Sequence, residues 1–240
     1  MSPSARLLVL VPAHNEADCL PAVVAEVRAT MPGVDLLVVD DGSVDDTQAV
    51  LAAHGVESLR LLQRVGLGTA VRTGLRRAAS LGYSTVVRID GDGQHDARDI
   101  AAIAGPVLCG EADVVIGTRY AGRRPGPVGA LRRVAQRGLT FVLSAITGRP
   151  VTDATSGFCA FGPRALRLLT AHHPGGYPEV ELRLLLHRHG LTVSEVPIQH
   201  RPRLAGRSTL TPGRLVVAAA RIAFAIALTP LRGIVPGEQS

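Results

Sequence analysis

The sequence predicts an open α/β fold, a mixed but mostly parallel sheet with helices on both faces. Three observations carry that expectation. Short apolar runs alternate with stretches of helical spacing, the rhythm of a layered α/β domain. The apolar runs lack period-two polarity, so each strand is expected to be buried on both sides. Acids cluster where the runs end, and open α/β sheets bind their ligands at the carboxyl ends of strands.

The elements follow in order. Leu7–Val11 is a continuous apolar run stopped by Pro12, a first buried strand. Glu16–Met31 is helical, with Leu20, Val23, Val24 and Val27 on one side. Leu36–Val39 is the second strand, followed by the turn Asp41-Gly42-Ser43; Asp45 or Asp46 is placed to cap the helix carrying Val50 and Leu51. Leu59–Leu62 is a third strand, and Gly68–Leu81 a helix with Ala70, Val71, Leu75 and Ala78 as its apolar set. Thr85–Ile89 is a fourth strand, cut off by Asp90-Gly91-Asp92-Gly93. Ile100–Leu108 is a helix and Val114–Ile116 a fifth strand. The character then changes. Gly122–Gly129 is a Gly/Pro/Arg loop, Ala130–Ile146 an Arg-bearing helix, and Thr152–Gly162 a small, polar stretch around Phe158 and Phe161. Glu179–His189 is a helix and Thr192–Pro197 a strand. Leu215–Leu228 is apolar, with Arg214 and Arg221 one heptad apart, and Pro230 ends it. Residues 1–210 are expected to form the main domain, and 211–240 an amphipathic helix and tail.

Composition narrows the chemistry. A 240-residue chain with 46% hydrophobic and 19% charged residues can bury a core without disulfides or metal staples. Aromatics are 3% and Trp is absent, so that core is built from Val, Leu, Ile and Ala. All 26 basic residues in the Lys+Arg total are Arg. Without lysine the chain is no Walker-type P-loop NTPase, Schiff-base enzyme, typical protein kinase or typical receiver domain. The charge is polarised. Val114–Thr152 has seven Arg and no acid, and Pro197–Gly237 has six Arg and no acid. The remainder holds 13 Arg against all 20 acids. Acid-free basic blocks attract phosphates and anionic lipids. Nucleic acid is disfavoured, because stacking aromatics are nearly absent. Three scattered cysteines, no signal-like N-terminus and no run near 20 apolar residues predict a reduced, cytoplasmic chain that does not span a bilayer.

Three strand-end motifs carry the candidate chemistry. In Arg88-Ile89-Asp90-Gly91-Asp92-Gly93-Gln94-His95, two carboxylates one residue apart can both reach a hard cation such as Mg²⁺ or Mn²⁺. A diphosphate is the natural co-ligand of such a cation. Pro12-Ala13-His14-Asn15-Glu16 runs from a strand into a helix start, where either a ligand or ordinary capping by Asn15 explains the polar residues. Val39-Asp40-Asp41-Gly42-Ser43-Val44-Asp45-Asp46-Thr47 suits hydrogen bonding to a base and ribose, with helix capping accounting for Asp45 and Thr47.

These motifs occur in order with Gly66-Leu67-Gly68-Thr69-Ala70, Gly117-Thr118-Arg119-Tyr120, Asp153-Ala154-Thr155-Ser156-Gly157-Phe158, Glu179-Val180-Glu181 and Arg203-x-x-Gly206-Arg207-Ser208. Over roughly residues 5–210 the chain resembles a family 2 glycosyltransferase of the GT-A fold. Within that family it is similar to the dolichyl-phosphate mannose synthase and polyprenyl-phosphate glycosyltransferase branch. The resemblance implies inverting transfer of a sugar from GDP-mannose or a UDP-sugar to a polyprenyl or dolichyl phosphate. Pro12, His14, Glu16, Val39 and Asp41 would hold the nucleoside. Asp90 and Asp92, with Gln94 and the intervening Gly91, would hold Mg²⁺ or Mn²⁺ and the diphosphate. Arg119 and Arg203 would lie on the phosphates. Ser156, Gly157, Glu179, Arg132 and Arg207 would line the sugar and acceptor side. Asp153, Glu179 or Glu181 would serve as base where the acceptor is a hydroxyl. Partners would be the nucleotide-sugar, the lipid phosphate, and a membrane surface or small membrane protein at the inner face. Departures are His14 where Tyr is common, Thr209 where a Lys closes the last motif, and no C-terminal transmembrane hairpin. Two other readings stand beside this one: transfer to a soluble hydroxyl acceptor, and a catalytically inactive nucleotide-binding subunit.

Overall fold

The computed structural model describes residues 6–120, 130–174 and 178–202. The expected helix over Leu215–Leu228 lies outside them. β1 (Leu7–Ala13), β2 (Asp35–Asp40), β3 (Glu57–Arg60), β4 (Thr85–Arg88), β5 (Val114–Thr118), β6 (Cys159–Phe161) and β7 (Val193–Pro197) form one seven-stranded sheet. The spatial order is β3-β2-β1-β4-β6-β5-β7. All pairings are parallel except those of β6, which runs antiparallel to both β4 and β5. The expected mixed, mostly parallel sheet is what forms.

Alternation along the strands divides the core in two. Val9, Val11, Val38, Val87, Ile89 and Val115 point to one face. There they meet Leu20, Val23 and Val27 of α1 (Leu20–Thr30), Leu51 of α2 (Thr47–Ala53), and Ile100, Ile103 and Val107 of α4 (Ile100–Leu108). Leu8, Leu10, Leu37, Val39, Val86, Val114 and Ile116 point to the other. That face is covered by Ala70, Val71 and Leu75 of α3 (Leu67–Ser80), Leu166 and Leu169 of α6 (Pro163–His172), and Leu182 and Leu186 of α7 (Pro178–Arg188). A third, smaller cluster joins Leu143 of α5 (Ala130–Thr147) to Val151, Ala154, Val180 and Leu184.

Four expectations change. The helix expected from Glu16 begins at Leu20, because residues 14–18 are tied to the next loop rather than to their own helix. The third strand is Glu57–Arg60, and Leu62 is fully exposed beyond it. Inside the stretch taken as a polar loop, Cys159–Phe161 forms the central antiparallel strand. The helix α6 follows it; Pro163 at its first turn, with Ala165, Leu166 and Leu169 on one face, was the available signal.

The contact of α3 with the sheet depends on Gly74, where a Cβ would run into both Leu10 methyl groups and approach Val39 Cγ2 at 3.0 Å. Gly74→Val is expected to lower unfolding free energy by about 2–3 kcal/mol in urea denaturation, since the packed sheet does not yield. An unchanged midpoint would show that α3 is free to lift.

Candidate active site

Among the described residues, the strand-end motifs lie at one end of the sheet. β1, β2, β4, β5 and β7 end there, and β6, being antiparallel, begins there. The strand order reverses between β1 and β4, the crevice where open α/β sheets take ligands.

On one side of that crevice, the loops after β1 and β2 are stitched together. His14 Nδ1–H donates to the Asp41 carbonyl at 2.7 Å. Asn15 N–H donates to Ser43 Oγ, Asn15 Oδ1 accepts from Val44 N–H, and Glu16 N–H donates to Thr47 Oγ1. Asn15 sits at φ +55° to make these bonds and does not cap α1. Asp45 Oδ1 accepts from Thr47 N–H and Oγ1–H, a local bond at the first residue of α2, whose N-cap position is held by Asp46 without a side-chain bond. The Asp41 carboxylate accepts from Val65 N–H at 2.7 Å and Gly66 N–H at 2.9 Å, which fastens the third loop to the other two. Gly42 is required at φ +63°, where a Cβ would strike the Gln63 and Arg64 backbone. Pro12 is buried at the end of β1. Val39, expected at the nucleoside, sends its side chain into the core beneath α3, because strand alternation points it away from its neighbour Asp40, and leaves its backbone at the crevice end of β2.

At the crevice itself, Arg88 is the last residue of β4 and only 1% exposed. Its Nη2 donates to Asp90 Oδ1 at 3.0 Å and to Glu179 Oε1 at 3.2 Å. His95 Nε2 bonds the other Asp90 oxygen at 3.3 Å, and its ring lies against Phe158. Gly157 closes over this group: a Cβ there would stand 2.6 Å from Arg88 Nη2 and 2.8 Å from Asp90 Oδ2. Burial pushes the Asp90 carboxyl up, but the Arg88 guanidinium and the His95 bond outweigh it and hold the group well below the usual carboxylate range. Asp92 is buried, and its Oδ1 accepts from Gln94 N–H. Among the described residues, the buried Arg88 Nε, His95 Nδ1 and Ser156 Oγ have no protein partner, which makes them natural seats for water or substrate hydroxyls.

Beyond it, Arg119 and Asp153 form a bidentate pair, Nε to Oδ2 at 2.6 Å and Nη2 to Oδ1 at 2.7 Å. Asp153 also accepts from the Arg119 and Thr155 N–H groups and from Gln136 Nε2, which in turn ties it to α5. Burial raises the Asp153 pKa, yet the Arg119 bonds overcome it and the net shift is downward. A carboxylate so occupied is a poor general base. The expectation that Asp153 acts as a base is therefore not supported by its geometry, and Arg119 spends Nε and Nη2 on Asp153 and Thr155. One helix holds both halves. Glu179 at the start of α7 bonds Arg88, and Arg183, one turn on, donates to the Asp153 carbonyl and to Glu195, both at 2.6 Å. Glu181 lies about 200° round the helix from Glu179.

The structure thus gathers Asp90, Gly91, Asp92, Gln94, Ser156, Gly157 and Glu179, and places Pro12, His14, Glu16 and Asp41 across the crevice. Arg203, Arg207 and the Arg132 side chain lie outside the described residues. Sequence reasoning missed Arg88, His95 and Arg183. Arg88 carried a signal, a cation inside an otherwise apolar strand; Arg183 did not, since Arg on a helix is ordinary. The donors Asp90, Asp92 and Gln94 are all hard oxygens, and Asp90 is kept ionised, so the set fits a divalent cation that completes its shell with water or phosphate. No three-residue His, Cys, Asp and Glu cluster occurs among the described residues. No helix among them is long and apolar enough to cross a membrane.

Comparison with known proteins agrees with this architecture. The model of the family described as Glycosyl transferase family 2 matches residues 8–169. The polyprenol monophosphomannose synthase of Mycolicibacterium smegmatis is 32% identical over 236 residues, covering 92% of this chain and 87% of the relative. The undecaprenyl-phosphate mannosyltransferase of Micrococcus luteus is 31% identical over 220 residues, covering 87% of this chain and 88% of the relative. The crystal structure of glucosyl-3-phosphoglycerate synthase from Mycobacterium tuberculosis with Mn²⁺, UDP and phosphoglyceric acid superposes with a TM-score of 0.68. The two are 27% identical, with 94% of this chain and 78% of that one covered.

Two outcomes are expected from the geometry. Arg88→Met leaves two half-buried carboxylates without their shared cation and should cost about 3 kcal/mol of stability, whereas Arg88→Met combined with Glu179→Gln should recover part of it. The Asp153 pKa is lowered by folding, so its contribution is present above the unfolded value near ~3.9 and fades as pH falls through the folded one. Asp153→Asn should therefore flatten the acid limb of stability against pH; an acid limb identical to that of the parent would remove Asp153 from this account.

Proposed function

The chain belongs to glycosyl transferase family 2, and from that premise we propose that it transfers a sugar from a nucleotide-diphosphate donor to a polyprenyl phosphate, with inversion and with the help of a divalent cation. The observation that carries the reading is the Asp90 carboxylate, fixed by Arg88 and His95 two residues before the buried Asp92, at the sheet's crossover crevice. The donor nucleoside would lie along the stitched loops of His14, Glu16 and Asp41. Asp90, Asp92 and Gln94 would hold Mg²⁺ or Mn²⁺. A cation bound there supplies positive charge against the departing nucleoside diphosphate.

The protein's own residues do the rest by positioning. Arg88 and His95 fix both oxygens of Asp90, so the carboxylate needs no reorganisation when the donor arrives. Ser156 and Gly157 stand over that carboxylate, where the sugar would lie. A phosphate acceptor is already an anionic nucleophile at neutral pH and needs no general base. That agrees with the fully occupied Asp153. Arg119, which the resemblance puts on the donor phosphates, would offer its remaining Nη1 to a phosphate in the crevice, while Asp153 and Thr155 hold Nε and Nη2 and fix its plane. Support for the lipid acceptor comes from the two relatives whose names specify polyprenol and undecaprenyl phosphate, each matched over most of its length.

A second reading has its own support. The superposable glucosyl-3-phosphoglycerate synthase was solved with phosphoglyceric acid, a soluble acid. Acceptors of both kinds carry a phosphate, so Arg119 serves either one.

The decisive assay offers GDP- and UDP-sugars to the purified chain with Mn²⁺ or Mg²⁺ and polyprenyl phosphate in detergent. Sugar linked to lipid phosphate is expected with one donor class, and product with a soluble phosphate alone would shift the assignment to the second reading. Asp92→Asn should lower turnover at least about 100-fold while leaving the unfolding midpoint within a few degrees. Full activity in that variant, or in EDTA, would overturn cation dependence.

A further inference from the structure

The loop that carries Asp90, Asp92 and Gln94 contains two glycines, Gly91 and Gly93, the second at φ +72°. Glycine widens the conformations open to a chain, so such a loop does not hold its shape unaided. Arg88 fixes its start through Asp90. Its far end is held by a different cation, Arg201, which the proposed reaction does not use.

Residues 199–201 run antiparallel to the segment after the loop, just past the end of β7. His95 and His200 pair as an isolated bridge, with ring centroids 5.9 Å apart. Arg201 N–H donates to the Gln94 carbonyl at 2.8 Å, and Gln199 N–H to Asp99 Oδ2 at 2.6 Å. So short a pairing is weak by itself. The Arg201 side chain adds what the backbone lacks. Its Nη1 and Nη2 form a fork on Glu26 of α1, at 3.0 and 2.8 Å, and Nη2 also reaches the buried Asp96 at 2.6 Å. A forked guanidinium–carboxylate pair fixes orientation as well as distance. Arg201 therefore meets both residues that flank His95, Gln94 through its backbone and Asp96 through its side chain. His95 is the residue that bonds the outer oxygen of Asp90.

We propose that Arg201 is a positioning residue for the donor site. By anchoring Gln94 and Asp96 to helix α1, it sets the loop from Asp90 to His95 in its cation-binding shape before cation and donor arrive. A loop already in place gives up no ordering entropy on binding, which is how residues outside a metal's ligands raise its affinity. The inference deepens the cation-dependent reading and rests on it.

The test compares the full chain with Arg201→Ala, Arg201→Lys and Glu26→Gln. None of these strands the buried Asp96, which keeps its bidentate partner Arg98, so folding should survive. Mn²⁺ is titrated into each chain and the free-ion paramagnetic resonance signal is read, alone and with GDP or UDP against a nucleotide blank. Arg201→Ala should weaken Mn²⁺ binding about tenfold and raise KM for the donor, with kcat little changed and the unfolding midpoint within a few degrees. Arg201→Lys keeps the charge without the fork and should recover part of the affinity. Glu26→Gln touches no loop residue and should show a smaller loss of the same kind. Parent-like Mn²⁺ affinity and KM in Arg201→Ala would overturn the positioning role, as would a loss that follows only a lowered unfolding midpoint. A parent chain that binds no Mn²⁺ and transfers sugar fully in EDTA would overturn the cation reading itself.

Discussion

One buried guanidinium organises the catalytic end of this fold. Arg88 closes strand β4 inside an otherwise apolar sheet and bonds Asp90 and Glu179 with the same nitrogen. Placing a charge there costs several kcal/mol, and the two carboxylates offset that cost only while both stay in register. The pair of bonds therefore constrains three separate segments: the end of β4, the loop after it, and the first turn of α7. Gly157 adds a fourth, since only a residue without a Cβ can close over the pair. Residual charge is the second consequence. Asp90 and Glu179 bring two carboxylates against one guanidinium, so that group keeps a net negative charge and, on the proposed reading, is receptive to a divalent cation.

Helix α7 extends the constraint across the crevice. Glu179 and Arg183 are four residues apart and so share a face. One is tied to the Arg88–Asp90 pair and the other to the Asp153 carbonyl and Glu195. Thr152 bonds the same Glu195 through its N–H and its hydroxyl. A displacement of α7 would thus disturb the carboxylate at the donor side and the Arg119–Asp153 pair on the far side together. On the proposed reading, a direct displacement would need this rigid placement of both halves, because donor and acceptor must be held in line.

Much of this was legible in the sequence, for identifiable reasons. Strands β1, β2 and β4 are buried on both faces and leave unbroken apolar runs, and α3 and α4 bury one face and leave helical spacing. Those signals are local. β6 left none, because three residues held between two neighbours need no distinctive pattern of their own. The site was legible where chemistry repeats in sequence, as in Asp90-Gly91-Asp92. It was illegible where chemistry is assembled across the chain: Arg88 meets Glu179 over 91 residues, and Arg119 meets Asp153 over 34. The side chain of Val39 lies in the core, so a contact of Val39 with a nucleoside would be made by its backbone, because proximity along the chain to Asp41 says nothing about which face of a strand a side chain takes.

The lack of lysine gains a physical meaning at position 88. A buried lysine can relieve its desolvation by releasing a proton, leaving a neutral amine that no longer fixes the carboxylates around it. Arginine has no such route, since its guanidinium stays protonated throughout the accessible pH range. Burial works to lower the Arg88 pKa, but Asp90 and Glu179 more than reverse it, so the shift is upward. The charge at the centre of the site is therefore permanent. The same holds for Arg119 against Asp153, where the planar fork also fixes orientation through two parallel bonds. A site built from such cations keeps its positive charges constant over pH. Any pH dependence of catalysis must then enter through the carboxylates, the substrate's phosphates or the imidazoles, not through loss of the arginine charges that hold the carboxylates in place.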